Sequence, residues 1–238
     1  VLYMYNFTFN IPTKIHFGKD TISSLSELKA YGSKVLLVYG GGSIKKNGLY
    51  DTAMKILKDA GLTVFELSGV EPNPKIETVR KGVEICKNEG IDMVLAIGGG
   101  STIDCSKIVA AGAKYDGDAW DLVLDGSKVK AALPIFDVLT LSATGTEMDP
   151  FAVISDMSKN EKWGTGSPYM VPTMSILNPE YTFSVSKKQT AAGTADMMSH
   201  TMENYFSMEN ADCQKFMAEG LLLSLIHISE PTRQEAIS

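Results

Sequence analysis

The chain has 238 residues, 44% hydrophobic and 21% charged, with a net charge of -6. That length suits one large domain or two small ones, and the composition is that of an ordinary globular protein. The acidic balance argues against nucleic-acid and anionic-membrane surfaces, which need basic patches.

Near the start, Phe7, Phe9 and Ile11 alternate with polar neighbours and predict an edge strand ending at Pro12. Residues 15–17 predict a second short strand, and 20–29 a helix with its N-cap at Asp20 or Thr21. An apolar strand over 35–39 ends in GGGS, formed by Gly40, Gly41, Gly42 and Ser43. The next helix carries Leu49, Ala53, Ile56 and Leu57 on one stripe and ends at Gly61. A strand over 62–67 leads into the turn GVEPNP, and 76–87 is a helix with Val79, Val83 and Cys86 on one side. The apolar run 93–97 then enters a second GGGS, formed by Gly98, Gly99, Gly100 and Ser101, with a helix starting at Ser101.

Short apolar strands alternating with helices predict an α/β fold with a doubly wound parallel sheet. Ligands on such sheets sit at the carboxyl ends of the strands, where both GGGS turns fall. A glycine turn lets backbone N–H groups approach a phosphate, and the new helix aims its positive end there. Two such turns favour a dinucleotide over a lone phosphate. The spacing is not GxGxxG, however, and a strand–helix turn without ligand reads the same.

The segment 133–147 is an apolar strand running into Thr140, Ser142, Thr144, Gly145 and Thr146, hydroxyls suited to a ribose or to their own turn. A hairpin follows over 151–155 and 162–164, then a final strand over 174–177. From about Tyr181 the strand signal stops, and 186–206 keeps a helical stripe rich in Met198, Met202 and Tyr205. Asp196 and His200 lie four apart on that helix, with Glu203 one turn on, so one face reads D-x3-H-x2-E. A carboxylate and an imidazole suit divalent Fe or Zn, with Glu203 as an orienting neighbour; a surface i,i+4 pair is the other reading. The methionines predict burial of this helix. Cys86, Cys105 and Cys213 form no CxxC pair, so neither a disulfide framework nor a thiolate zinc site is expected. No signal peptide or membrane span is evident, and a cytoplasmic location is expected.

These pieces in this order resemble the iron-containing (group III) alcohol dehydrogenase family, within it the NADPH-using, butanol-dehydrogenase-like aldehyde reductases. The matching segments are PTKIHFGK, YGGGSIKKNG, GVEPNP, AIGGGSTIDCSK, TLSATGTEMDPFAVI, LNPEYT and GTADMMSHTMENYF. The resemblance implies a dehydroquinate-synthase-like nucleotide-binding domain over 1–183 and the beginning of an all-helical metal domain over 184–222. It implies that Gly40, Gly41, Gly42, Ser43 and Asn73 lie along the cofactor, and that Gly98, Gly99, Gly100 and Ser101 grip the pyrophosphate. Asp104 would lie near the nicotinamide half, Thr140 and Thr144 would line its ribose, and Lys162 would reach the same end. Asp196 and His200 match the first two metal ligands. The implied reaction passes hydride between NADP(H) and small primary alcohols or aldehydes, with Fe2+ or Zn2+ polarising the substrate oxygen. A homodimer is expected of the full-length protein. NADPH is expected over NADH, because nothing acidic stands in the first turn while Lys45 and Lys46 follow it.

The sequence also departs from that family. Two further histidines are needed beyond the D-x3-H helix, and only His16, His200 and His227 occur. His227 lies in LSLIHISEPTR, which resembles translated read-through of a sequencing-library adapter, so 223–238 is expected to be a non-native tail. The chain as written is expected to be inactive. A glycerol-dehydrogenase-like relative and a non-catalytic nucleotide-binding fragment are the competing readings.

Overall fold

In the computed structural model, residues 6, 8–207 and 211–229 are described. They fall into two compact units. One runs to Thr140 and resumes over Thr146–Tyr181; the other holds Leu141–Gly145 and the described residues from Thr182 onward.

The first unit is built on six parallel strands in the order β1-β8-β5-β4-β2-β3. The strands are β1 (Lys14–Phe17), β2 (Lys34–Tyr39), β3 (Thr63–Leu67), β4 (Met93–Gly98), β5 (Ile135–Leu139) and β8 (Met174–Leu177). β6 (Phe151–Asp156) and β7 (Glu161–Gly166) form a separate antiparallel hairpin. The central strands are apolar on both faces because both faces are covered. On one face Leu36, Val38, Val94 and Ile135 pack against α3 (Ile76–Glu89), α4 (Gly100–Gly112) and α5 (Ala119–Leu124). On the other, Val35, Leu37, Leu95 and Phe136 pack against a 3-10 helix (Thr21–Tyr31) and α2 (Leu49–Asp59). Leu49, Ala53 and Leu57 are the buried stripe of α2, as their spacing predicts. Each buried Leu, Ile or Val side chain contributes about 1.5–3 kcal/mol.

The predicted edge strand at the N-terminus is not found. Phe7 lies outside the described residues, residues 8–13 form no strand, and Phe9 is 79% exposed. The outermost strand on that side is β1, paired with β8, and the alternating segment has no neighbour among the described residues to complete a ladder.

In the second unit α6 (Lys187–Tyr205) starts at Ser186, whose hydroxyl accepts from the Gln189 amide at 3.3 Å. It packs against α7 (Asp212–Ser229), with Tyr205 Oη donating to Glu219 Oε1 at 3.0 Å. The expected burial of α6 is not observed: of its residues only Gly193 and Thr194 are buried. Of its methionines, Met197 and Met198 are half-buried and Met202 is exposed. Residues 223–229 of the expected non-native tail continue α7, and the rest of that tail lies outside the described residues.

Candidate functional site

Both glycine turns lie at the carboxyl edge of the sheet, on the neighbouring strands β2 and β4. Tyr39 ends β2, Gly42 takes a φ of 101° that favours glycine, and Ser43 opens α1 (Ser43–Lys46). A Cβ on Gly41 or Gly42 would meet nothing within 4 Å, so this turn borders open space. The loop after β3 is stitched to it: the Gly69 amide donates to the Gly40 carbonyl and the Val70 amide to that of Tyr39, both at 3.2 Å.

The second turn is tighter. A Cβ on Gly98 would lie 2.4 Å from Thr102 Oγ1 and 2.8 Å from Thr102 Cβ, so close packing demands glycine. Thr140, just past β5, donates its amide to the Gly98 carbonyl at 2.9 Å, which brings it beside the turn. Gly99 caps α4, which begins at Gly100, one residue ahead of the predicted start, and Gly100 and Ser101 form its first turn. Their amides have no intrahelical acceptor and point outward with the positive end of a thirteen-residue helix. The helix after the first turn has only four residues, so the two cradles are not equivalent.

Asn73 and Lys162 also meet. Lys162 Nζ donates to Asn73 Oδ1 at 2.7 Å, and Asn73 adopts a left-handed φ of 55°. The loop carrying Asn73 is fixed to the hairpin by the Ser155 amide, which donates to the Pro74 carbonyl at 2.9 Å.

Asp104 is engaged within the chain. Thr146 Oγ1 donates to its Oδ1 at 2.7 Å and the Val153 amide to its Oδ2 at 3.0 Å, tying α4 to β6. Burial raises its pKa despite these bonds. One turn on is a residue that sequence reasoning passes over. Lys107 is 0% exposed, and the three N–H groups of its ammonium are shared among Thr146 Oγ1, the Asp149 carbonyl and carboxylate, and the Phe151 carbonyl, at 2.7–2.8 Å. Only the i,i+3 spacing of Asp104 and Lys107 hinted at it.

Asp137 was missed as well. It is fully buried in mid-β5, and Ser175 Oγ lies 2.5 Å from its Oδ2 and 2.7 Å from the Glu147 carbonyl. One hydroxyl proton serves one acceptor and a carbonyl only accepts, so a neutral Asp137 carboxyl donates to Oγ. Burial pushes its pKa well above the ordinary carboxylate range, in keeping with that.

The first turn itself carries no acid, as its sequence shows, but an acid comes close from a neighbouring strand. The sheet brings Glu66 from β3 to Tyr39, whose Oη donates to Glu66 Oε2 at 2.7 Å. The relevant neighbour lies across the sheet, where the local sequence around Gly40 does not show it.

Thr144, Asp196 and His200 belong to the second unit. There His200 Nε2 and Asp196 Oδ1 lie 3.7 Å apart on one face of α6, both about half exposed. Bonds of about 2.0–2.2 Å from each would meet at a single ion. The donor pair therefore fits a divalent metal as part of a site; among the described residues no group of three His, Cys, Asp or Glu completes it. Burial keeps Cys86 and Cys105 protonated, each thiol pushed up to about 12.

Comparison with known proteins agrees with this architecture. The chain is 59% identical over 225 residues to NADH-dependent butanol dehydrogenase A of Clostridium acetobutylicum, covering 94% of this chain and 58% of that protein. It is 40% identical to the NADPH-dependent aldehyde reductase YqhD of Escherichia coli, with the same coverage. The crystal structure of a Thermotoga maritima NADH-dependent butanol dehydrogenase A superposes with a TM-score of 0.92 at 46% identity, covering 95% of this chain and 57% of that one. The chain thus spans somewhat over half the length of these relatives. The family model for iron-containing alcohol dehydrogenase matches residues 12–179, and the chain belongs to that family.

Proposed function

We propose that this chain supplies the nucleotide-binding part, and two metal ligands, of a dehydrogenase that passes hydride between NADP(H) and small aldehydes or primary alcohols. The observation that carries this reading is the pair of glycine turns on adjacent parallel strands, one opening α4. The amides at the start of α4 would take the pyrophosphate, Gly40, Gly41, Gly42 and Ser43 the adenosine end, and Thr140 the nicotinamide ribose. Asn73 and Lys162, already bonded to each other, would offer an amide and a cation to the cofactor. Thr146, itself held by Lys107, fixes the Asp104 carboxylate, which would lie near the nicotinamide half.

Asp196 and His200 would hold a divalent ion, which when bound supplies Lewis acidity to the substrate oxygen. Iron is the metal in the family's description. For the cofactor, Lys45 and Lys46 beside a glycine turn without an acid of its own favour a 2′-phosphate. The relatives' names divide on this point, NADH for the Clostridium protein and NADPH for the Escherichia protein. A second reading, a nucleotide-binding module without turnover, is favoured by the two-donor metal set.

Titrating the chain with NADPH and NADH, together with metal analysis and an aldehyde-reduction assay, tests these readings. Saturable NADPH binding tighter than that of NADH is expected. Failure of both nucleotides to bind would refute the proposal, and metal-dependent turnover would refute the module reading.

A further inference from the structure

Beside the first glycine turn stands a cluster of four side chains that hydride transfer does not require. Tyr39 closes β2, Lys45 lies in α1, Tyr50 in the first turn of α2, and Glu66 near the end of β3. Tyr39 Oη donates to one oxygen of Glu66 at 2.7 Å and Tyr50 Oη to the other at 2.8 Å. The two rings meet edge-on with centroids 5.7 Å apart. Lys45 Nζ stands 5.0 Å from the Tyr39 centroid and 4.5 Å from that of Tyr50.

The chemistry of this group is cooperative. A phenol donating to a carboxylate gains electron density, and a denser ring face holds a cation more firmly. The Tyr39 and Tyr50 bonds keep Glu66 below the ordinary carboxylate range, so it is charged at neutral pH. Lys45 and Glu66 thus form a neutral pair joined by two aromatic rings, two residues beyond Ser43. The positive rim that the sequence suggests is partly cancelled.

We infer that Lys45 and Glu66 together set how this site discriminates NADPH from NADH, Lys45 attracting the 2′-phosphate while Glu66 restrains Lys45. The inference rests on the nucleotide reading above and deepens it. Affinities of NADPH and NADH are measured by fluorescence titration for the wild-type chain, Glu66→Gln, Lys45→Met and the double variant. Glu66→Gln is expected to raise the NADPH-to-NADH affinity ratio by roughly five-fold, the upper scale of an exposed charge contact, and Lys45→Met to lower it. In the Lys45→Met background the Glu66→Gln gain shrinks. Lys45 is exposed, so its replacement reads out even if Glu66→Gln folds poorly. Unchanged ratios with both nucleotides still bound overturn the inference and leave the nucleotide reading standing. A Glu66→Gln gain equally large without Lys45 overturns the pairing, and a wild-type chain that binds neither nucleotide overturns both.

Discussion

Lys107 is a fully buried cation whose loss should destabilise the first unit. Its ammonium is sealed from water and bridges the Thr146 hydroxyl, the Asp149 carboxylate and the Asp149 and Phe151 carbonyls under the hairpin. Lys107→Met is expected to cost about 1–3 kcal/mol in urea unfolding, the range for removing a donor from buried acceptors. Asp137 should act in the opposite sense. Its folded pKa is raised, so the native state holds a proton that the unfolded chain releases above about pH 4. Stability therefore falls as pH rises through that point towards the folded value. Asp137→Asn keeps a neutral donor for Ser175 Oγ and removes this dependence. The variant should gain on the wild type between pH 4 and 7, and denaturant midpoints at several pH values give the comparison.

Among the elements, the second glycine turn is tightly constrained. A methyl at Gly98 would strike Thr102 close to the backbone of α4, where the Thr102 side chain has no room to swing away. Gly98→Ala is expected to cost about 1–3 kcal/mol as an overpacked site and to weaken nucleotide binding roughly ten-fold by tilting the first turn of α4. Thermal melts and NADPH titration report the two effects separately. That this turn exists was legible in the sequence, because an apolar run followed by glycines and a helical stripe arises entirely from local order. The same holds for β2, α2 and α3, whose buried faces follow their spacing. What was not legible depends on partners remote in the chain. Lys107 looks like an ordinary surface lysine until Thr146 and Asp149 come round to meet it, and Glu66 reaches the first turn only through β3 pairing with β2. The alternation around Phe9 is strand-like, yet a strand needs a neighbour, and a methionine stripe such as that of α6 records a face suited to burial, whether or not a cover is present.

At the scale of the whole molecule, α6 and α7 expose what a helical domain ordinarily hides. Phe206, Phe216, Met217, Leu221, Leu223 and Ile228 are all more than half exposed. Exposed apolar area of this extent on a soluble chain drives self-association. The 238-residue chain is therefore expected to bind a hydrophobic dye strongly and to elute at a size that grows with concentration. Replacing Phe216 and Leu223 together by serine should reduce both effects while leaving nucleotide affinity unchanged, because both GGGS turns lie in the other unit. The same argument bears on catalysis. Asp196 and His200 provide two donors, whereas catalytic zinc sites commonly draw three from the protein, so metal added to this chain should bind weakly and be lost on gel filtration. Aldehyde reduction should then be absent even where NADPH binding is measurable. Retention of one equivalent of iron or zinc after gel filtration, removed by Asp196→Ala, would show instead that the described residues understate the ligand set.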